Sequence, residues 1–445
     1  MTVANLTSCL VAAASFCCLL CCVAASVELH GEDAGEPTFA KDIAPIVYTK
    51  CATCHRQGQV SHLSLMSYED VRKSLREVVN VVSDGSMPPW KPVAGFGTFR
   101  NARGLTSAEV SLFQHWAAIG APQGDIHSSP QPPTFKDGWQ LGEPDLVLKM
   151  PEPFEVQGNG ADVFRCFVIP IPLATDQFVA GFEFRPGNPH MLHHSILFLD
   201  SAKAARSKVS GSSGAGYSCF GGPGFSPSGA LGGWSPGSIP TLYRSDVAKF
   251  VKKGTDLVIQ NHYHSMGVER DQSEIGIYFA KSVPKYRAVT IPVLQYDLDI
   301  PAGEEQYKVR SVFDVPAEFQ VLGISPHMHY LGHEMKVSAT LPDGSIQPLI
   351  WIKDWDFLWQ GEYYYKQPIV LPKGTRILME ASYDNSVRNP HNPSYPPKRV
   401  KWGEASTDEM ALCLIEIAVE KQEDLTLLRH AILEQPGIHL TGAGH

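Results

Sequence analysis

The sequence predicts a multidomain chain, a short all-α region followed by two antiparallel β-sandwiches. Three observations carry this expectation. With 445 residues, 43% hydrophobic and 19% charged, the chain has material for several cores. Helical periodicity is confined to residues 38–125, and from Trp139 onward short alternating apolar segments separated by Gly and Pro turns take over. Residues 139–430 are too many for one ordinary sandwich of about 100 residues, so two are expected. The net charge of −9 and the lack of a basic tract argue against a nucleic-acid partner.

Residues 1–26 read as a secretory signal peptide, a short apolar run ending in the small residues "CVAAS" and then turning acidic. No Lys or Arg precedes the run, and an uncleaved N-terminal anchor is the alternative reading. No other segment is a candidate membrane span. Cys9, Cys17, Cys18, Cys21 and Cys22 lie in this leader. Export predicts a periplasmic or secreted protein. Residues 27–125 form the expected helical domain. In it Val71, Leu75, Val78 and Val82 recur at helical spacing, and Thr106 with Glu109 forms a capping pattern ahead of Val110, Phe113 and Ala117. A Pro-rich linker (126–143) leads to the first sandwich (144–288), the second (289–430) and a tail (431–445). Residues 210–238 read as a long Gly/Ser/Pro loop, either functional or a surface insertion. Cys166, Cys219 and Cys413 allow at most one internal disulfide, and its connectivity stays open.

"CATCH" is the C-x-x-C-H pattern of covalent c-type haem attachment. Cys51 and Cys54 would form the thioethers and His55 would be the proximal iron ligand. Met87, in "SMPPW", is the expected sixth ligand, with Met66 the weaker candidate. The two prolines after Met87 end the preceding helix and turn its thioether sideways. With CxxCH, MPPW and the closing "WAAIGAPQGD", residues 39–125 resemble class I cytochrome c domains, so the all-α region is expected to be cytochrome c-like.

Histidines concentrate further on. His327 and His329, in "SPHMHYLG", sit at i and i+2 of a predicted strand, where side chains share a face and two imidazoles can grip one metal. His193 and His194 are adjacent, and can share a metal only at a strand end, at a bulge or through different ring nitrogens. His262 and His264 follow in "LVIQNHYH".

Four islands in order, "HH" opening a strand, "LVIQNHY", "HMHYLG" and "STDEM", resemble the copper type II, ascorbate-dependent monooxygenases, the family of the peptide-amidating and dopamine-hydroxylating enzymes. The resemblance implies two jelly-roll sandwiches and two copper ions. One copper would take His193, His194 and His262, with His264 as a substitute for His262. The other would take His327, His329 and Met410, which are the expected catalytic residues. A soft thioether favours Cu(I), and three protein ligands leave a position open for oxygen. Where amidating members anchor a substrate carboxylate with Arg, Asn and Tyr, this chain has Ser325, Leu412 and Leu414, so a glycine-extended peptide is not the expected substrate and the pocket is more apolar. Most of the family's disulfides are also missing.

The combination predicts an exported haem- and copper-dependent monooxygenase. It would insert oxygen from O2 into a C–H bond of a small organic molecule. Electrons would pass singly from one covalent haem to two coppers, supplied by ascorbate or a redox protein. The alternative is a haem/copper electron-transfer or copper-binding protein without oxygen insertion.

Overall fold

The computed structural model describes residues 35–435 apart from 60, 62, 159–161, 213–214, 221, 265–266 and 404. The expected signal peptide with its five cysteines, and residues 436–445 of the expected tail, lie outside them.

An eight-stranded sheet runs through the β region. In spatial order its strands are Leu146–Lys149, Glu274–Phe279, Gln177–Arg185, Val247–Val251, Tyr286–Leu294, Leu412–Val419, Phe319–His327 and Tyr363–Leu371. Over its first half lies a five-stranded sheet ordered Tyr217–Ser218, Asp162–Pro170, Asp256–His264, Leu192–Asp200, Gly229–Trp234. Over its second half lies a four-stranded sheet ordered Tyr307–Asp314, Arg376–Tyr383, Gly332–Thr340, Ile346–Ile352. Period-2 patterning builds both sandwiches. Ile377, Met379, Ala381 and Tyr383 point inward while the intervening residues do not. Asp256–His264 is buried at every position but its last, as suits a strand near the middle of its sheet. The first core joins Phe167, Leu197, Ile259 and Tyr263 to Phe184 and Ile275. The second joins Met335, Val337 and Met379 to Ile291, Ile324 and Ile415.

The two sandwiches meet without a gap. Tyr286 and Arg287 pair in parallel with Val247 and Ala248, which carries the large sheet from one half into the other through a strand that spans residues 288 and 289. Val247, Ala288, Leu322 and Ala418 pack at this seam. Beside them Lys249 Nζ meets Glu416 Oε1 at 2.5 Å, both side chains buried, and the Tyr243 hydroxyl donates to the same carboxylate.

The sandwich part of the expected fold holds; the all-α cytochrome c-like domain does not. The structure is mostly β-sheet, with six α-helices among the described residues, none longer than twelve residues. Before the linker the α-helices are Ala44–Lys50, Tyr68–Lys73, Leu75–Ser83 and Ser107–Ala118, preceded by a π-helical turn Phe39–Ile43. The capping box of Thr106 and Glu109 forms as the sequence suggests, and Phe113 and Trp116 are the buried residues of that helix. The single helix suggested by the valine spacing breaks at Ser74. Between Met87 and Gly104 the prolines and glycines exclude helix, and the chain joins the second sandwich instead. Pro92 bridges Ile352, Phe99 bridges Tyr365, and Phe99 enters the second core. The N-terminal region is thus partly built into the β structure rather than self-contained.

The long Gly/Ser/Pro stretch is also more ordered than a loop. It supplies the edge strand Gly229–Trp234, and a Cys166–Cys219 disulfide ties it to the five-stranded sheet. Cys413 remains a buried free thiol. The disulfide closes 53 residues of sequence separation, so Cys219→Ser is expected to lower stability by about 2–4 kcal/mol. The denaturation midpoint of oxidised protein checks this, and a variant as stable as the parent would contradict it. Among the described residues no helix is long and apolar enough to cross a membrane.

Candidate metal centres

Three imidazoles converge on the five-stranded sheet. His193 and His194 open the strand Leu192–Asp200, whose register against Asp256–His264 shifts between Leu192 and His194. This irregularity turns two adjacent residues toward one side. The next strand contributes His262, paired with His194. One ring nitrogen from each of His193, His194 and His262 lies within 4.8 Å of the others. His193 Nδ1 and His194 Nδ1 are 3.1 Å apart. His262 is buried; its Nε2 is 3.1 Å from Asp162 Oδ1, but neither ring nitrogen makes a hydrogen bond of good geometry. A buried nitrogen without a partner, facing two further imidazoles, is what a metal site looks like from its ligands. His264 is half-exposed and directs Nδ1 to Asp162 at 3.1 Å, outside the cluster.

His327 is the last residue of its strand and His329 lies just beyond it, so the pair sits at a strand end rather than within one. Their rings are 5.1 Å apart between centroids and perpendicular. Each engages a carbonyl oxygen through Nδ1: His327 with Gln360 Oε1 at 2.5 Å, His329 with the Asp408 carbonyl at 3.1 Å. That leaves Nε2 of His327 as the nitrogen for a metal, while His329 also engages the Ala405 backbone. The main chain of Met410 lies two residues before Leu412, the register partner of His327, and is tied to the histidine loop by Glu409. The buried Glu409 carboxylate accepts from the backbone N–H of His329 (2.9 Å), Leu331 (2.6 Å) and Met410 (3.2 Å), fastening the histidine loop to the methionine. Burial pushes this carboxyl up to about 8. The Trp355 indole N–H donates to the His329 carbonyl at 3.1 Å.

One phenyl ring separates the two groups. Phe357 stacks on His193 at 5.7 Å between centroids and meets His329 edge-on at 5.9 Å, with Tyr330 against it at 4.3 Å. Burial, then the neighbouring imidazoles, holds His193 down to about 4 and His329 to about 3. His194 is pushed well below the usual range by burial and by the histidines of both groups, and burial lowers His327. At neutral pH these rings are neutral and ready to ligate without first releasing a proton.

In the C-x-x-C-H segment, His55 Nδ1 lies 3.0 Å from Ser61 Oγ and 3.3 Å from the Leu63 carbonyl. Nearby the Arg103 guanidinium acts on Cys54, and Arg103 Nε is buried with no hydrogen-bond partner. Met87 is half-buried after the Leu75–Ser83 helix, its N–H donating to the Val81 carbonyl at 3.0 Å.

Asp162, Phe357, Gln360 and Glu409 escape sequence reasoning. Only Glu409 leaves a trace, as an acid beside a candidate ligand at the start of a strand. Trp355 is packed in the second core and also supports the His329 backbone.

No family model and no curated protein matches the chain. Among solved structures, the infectious bursal disease virus VP2 subviral particle is 9% identical, over 66% of this chain and 77% of that one, with a TM-score of 0.19. The major capsid protein P2 of bacteriophage PM2 is 10% identical, over 61% of this chain and 96% of that one, with a TM-score of 0.23. Superpositions this weak carry no argument about function.

Proposed function

We propose that the chain is an exported haem- and copper-dependent monooxygenase, hydroxylating a C–H bond of a small apolar molecule. The observation that carries the reading is the pair of donor sets on either side of Phe357. One offers three imidazole nitrogens; the other offers two imidazoles, with the main chain of Met410 tied to the His329 loop through Glu409. Imidazole with thioether suits copper. Bound there, copper would supply dioxygen chemistry and, with haem, single-electron storage for R–H + O2 + 2e⁻ + 2H⁺ → R–OH + H2O.

The chain's own residues have definite parts in this scheme. His193, His194 and His262 would hold one ion, with Asp162 orienting His262. His327, His329 and Met410 would hold the second, with Gln360 and Glu409 fixing their aim. Cys51, Cys54 and His55 would hold the haem, with Met87 the proposed sixth ligand. Register pairs Ser325 with Leu414 and His327 with Leu412, so two leucines share the His327 face. This favours an apolar substrate over a carboxylate. The disulfide fits an oxidising compartment.

The test is ¹⁸O2 turnover of the haem- and copper-loaded chain, with ascorbate as reductant and a panel of alkylaromatic probes. The expected product is an alcohol carrying one ¹⁸O. Reversible redox cycling of a fully loaded protein without labelled product would instead mark an electron-transfer or copper-binding protein.

A further inference from the structure

The sequence leaves open how a haem on Cys51 and Cys54 would communicate with the histidine clusters. A four-residue turn after the edge strand Gly229–Trp234 answers this. Gly237 has φ of +83°, and a Cβ placed on it would sit 3.7 Å from Cys54 Sγ and 3.5 Å from Arg103 Nη2. The turn therefore lies against the haem-attachment cysteine, and its positive φ at this position favours glycine. It is also held in shape. Ser235 N–H donates to Ser238 Oγ at 3.0 Å, and Ser238 N–H to the Ser235 carbonyl at 2.9 Å.

From this turn the chain runs directly to the three-histidine cluster. Trp234 pairs in the β-ladder with Ser195, the residue after His194. A second arm reaches the other cluster less directly. Ser235 Oγ donates to the Gln360 carbonyl at 3.1 Å, and the Gln360 side chain engages His327. The first arm is main chain throughout; the second passes along a side-chain amide.

We propose that the Ser235–Ser238 turn is the electron junction of the molecule, passing electrons from the haem into the three-histidine centre through Gly237, Trp234 and Ser195. The step is a single-electron exchange, Fe(II) + Cu(II) → Fe(III) + Cu(I), with no proton moved and the haem re-reduced by an external one-electron donor. This rests on the haem–copper reading above and adds the route and the receiving centre.

The test compares the full haem- and copper-loaded protein with Gly237→Asn, Ser235→Ala and Gly344→Asn. Asparagine tolerates positive φ, so Gly237→Asn keeps the turn while placing a side chain against Cys54. Gly344, at φ +84° with nothing within 4 Å of an added Cβ, is the control for the backbone change. Each protein is given less than one equivalent of a one-electron donor without oxygen. Decay of the ferrous haem band and loss of the Cu(II) resonance are then followed by rapid mixing. In the parent the decay is expected to be independent of protein concentration. Gly237→Asn should slow it by at least about tenfold, about 1.4 kcal/mol of barrier, with haem and copper contents intact. Ser235→Ala and Gly344→Asn should leave it unchanged. An unaltered rate in Gly237→Asn, a slowed rate in Ser235→Ala, or a parent rate that scales with concentration overturns the proposal. Haem and copper analysis of the same samples separates the two failures. A chain that binds neither group sinks the proposed function as well; a loaded chain with no coupling at the turn sinks only the junction.

Discussion

His262→Ala is expected to halve the copper content, from two ions per chain to one, while the haem spectrum stays as it is and labelled product falls to background. His262 is buried at the centre of the three-imidazole group, and its Nδ1 has no partner in the protein. Removing it leaves His193 and His194, whose Nδ1 atoms are 3.1 Å apart, with two ligands where an ion needs at least three. Asp162→Asn makes the graded comparison. It keeps the imidazole but weakens the group that orients it, so copper affinity at this centre should fall about 10–100-fold without abolishing binding. Two coppers retained in His262→Ala at sub-stoichiometric chelator would mean that the cluster is not a copper site.

Lys249→Met is expected to lower stability by about 3–5 kcal/mol. The lysine is paired at 2.5 Å with Glu416 where both are shut off from water, and Glu416 Oε2 already has no hydrogen-bond partner. Taking the ammonium away leaves a buried carboxylate with only tyrosine hydroxyls to hold it, Tyr243 at 2.5 Å and Tyr364. Because the penalty is that of an uncompensated charge, Lys249→Met combined with Glu416→Leu should recover most of it. Denaturant midpoints of the parent, both single variants and the double variant decide the matter. A loss below about 1 kcal/mol in Lys249→Met would place the pair among the weak surface bridges.

Local patterns were legible from the sequence to the extent that their physics is local. Alternation along strands such as Arg376–Tyr383 identified the sandwiches, and the Thr106–Glu109 capping box identified the start of its helix. The requirement that His193 and His194 need an irregular strand is met by a register shift that only the partner strand reveals. The N-terminal region was misjudged because helical periodicity in short stretches says nothing about the Pro- and Gly-rich residues between them. These find hydrogen-bond partners on a strand more than 250 positions away, Val93 N–H with the Trp351 carbonyl for example. For the same reason Asp162, Phe357 and Gln360 were invisible. Each acts on a histidine that is distant in sequence, and no spacing rule links them.

The large sheet crosses from one sandwich to the other without interruption, through the pairing of Tyr286 and Arg287 with Val247 and Ala248. A ladder of this kind has no pivot. For the halves to swing apart, main-chain hydrogen bonds and the buried Lys249–Glu416 contact would have to be given up together. The interval occupied by Phe357 therefore keeps a set width.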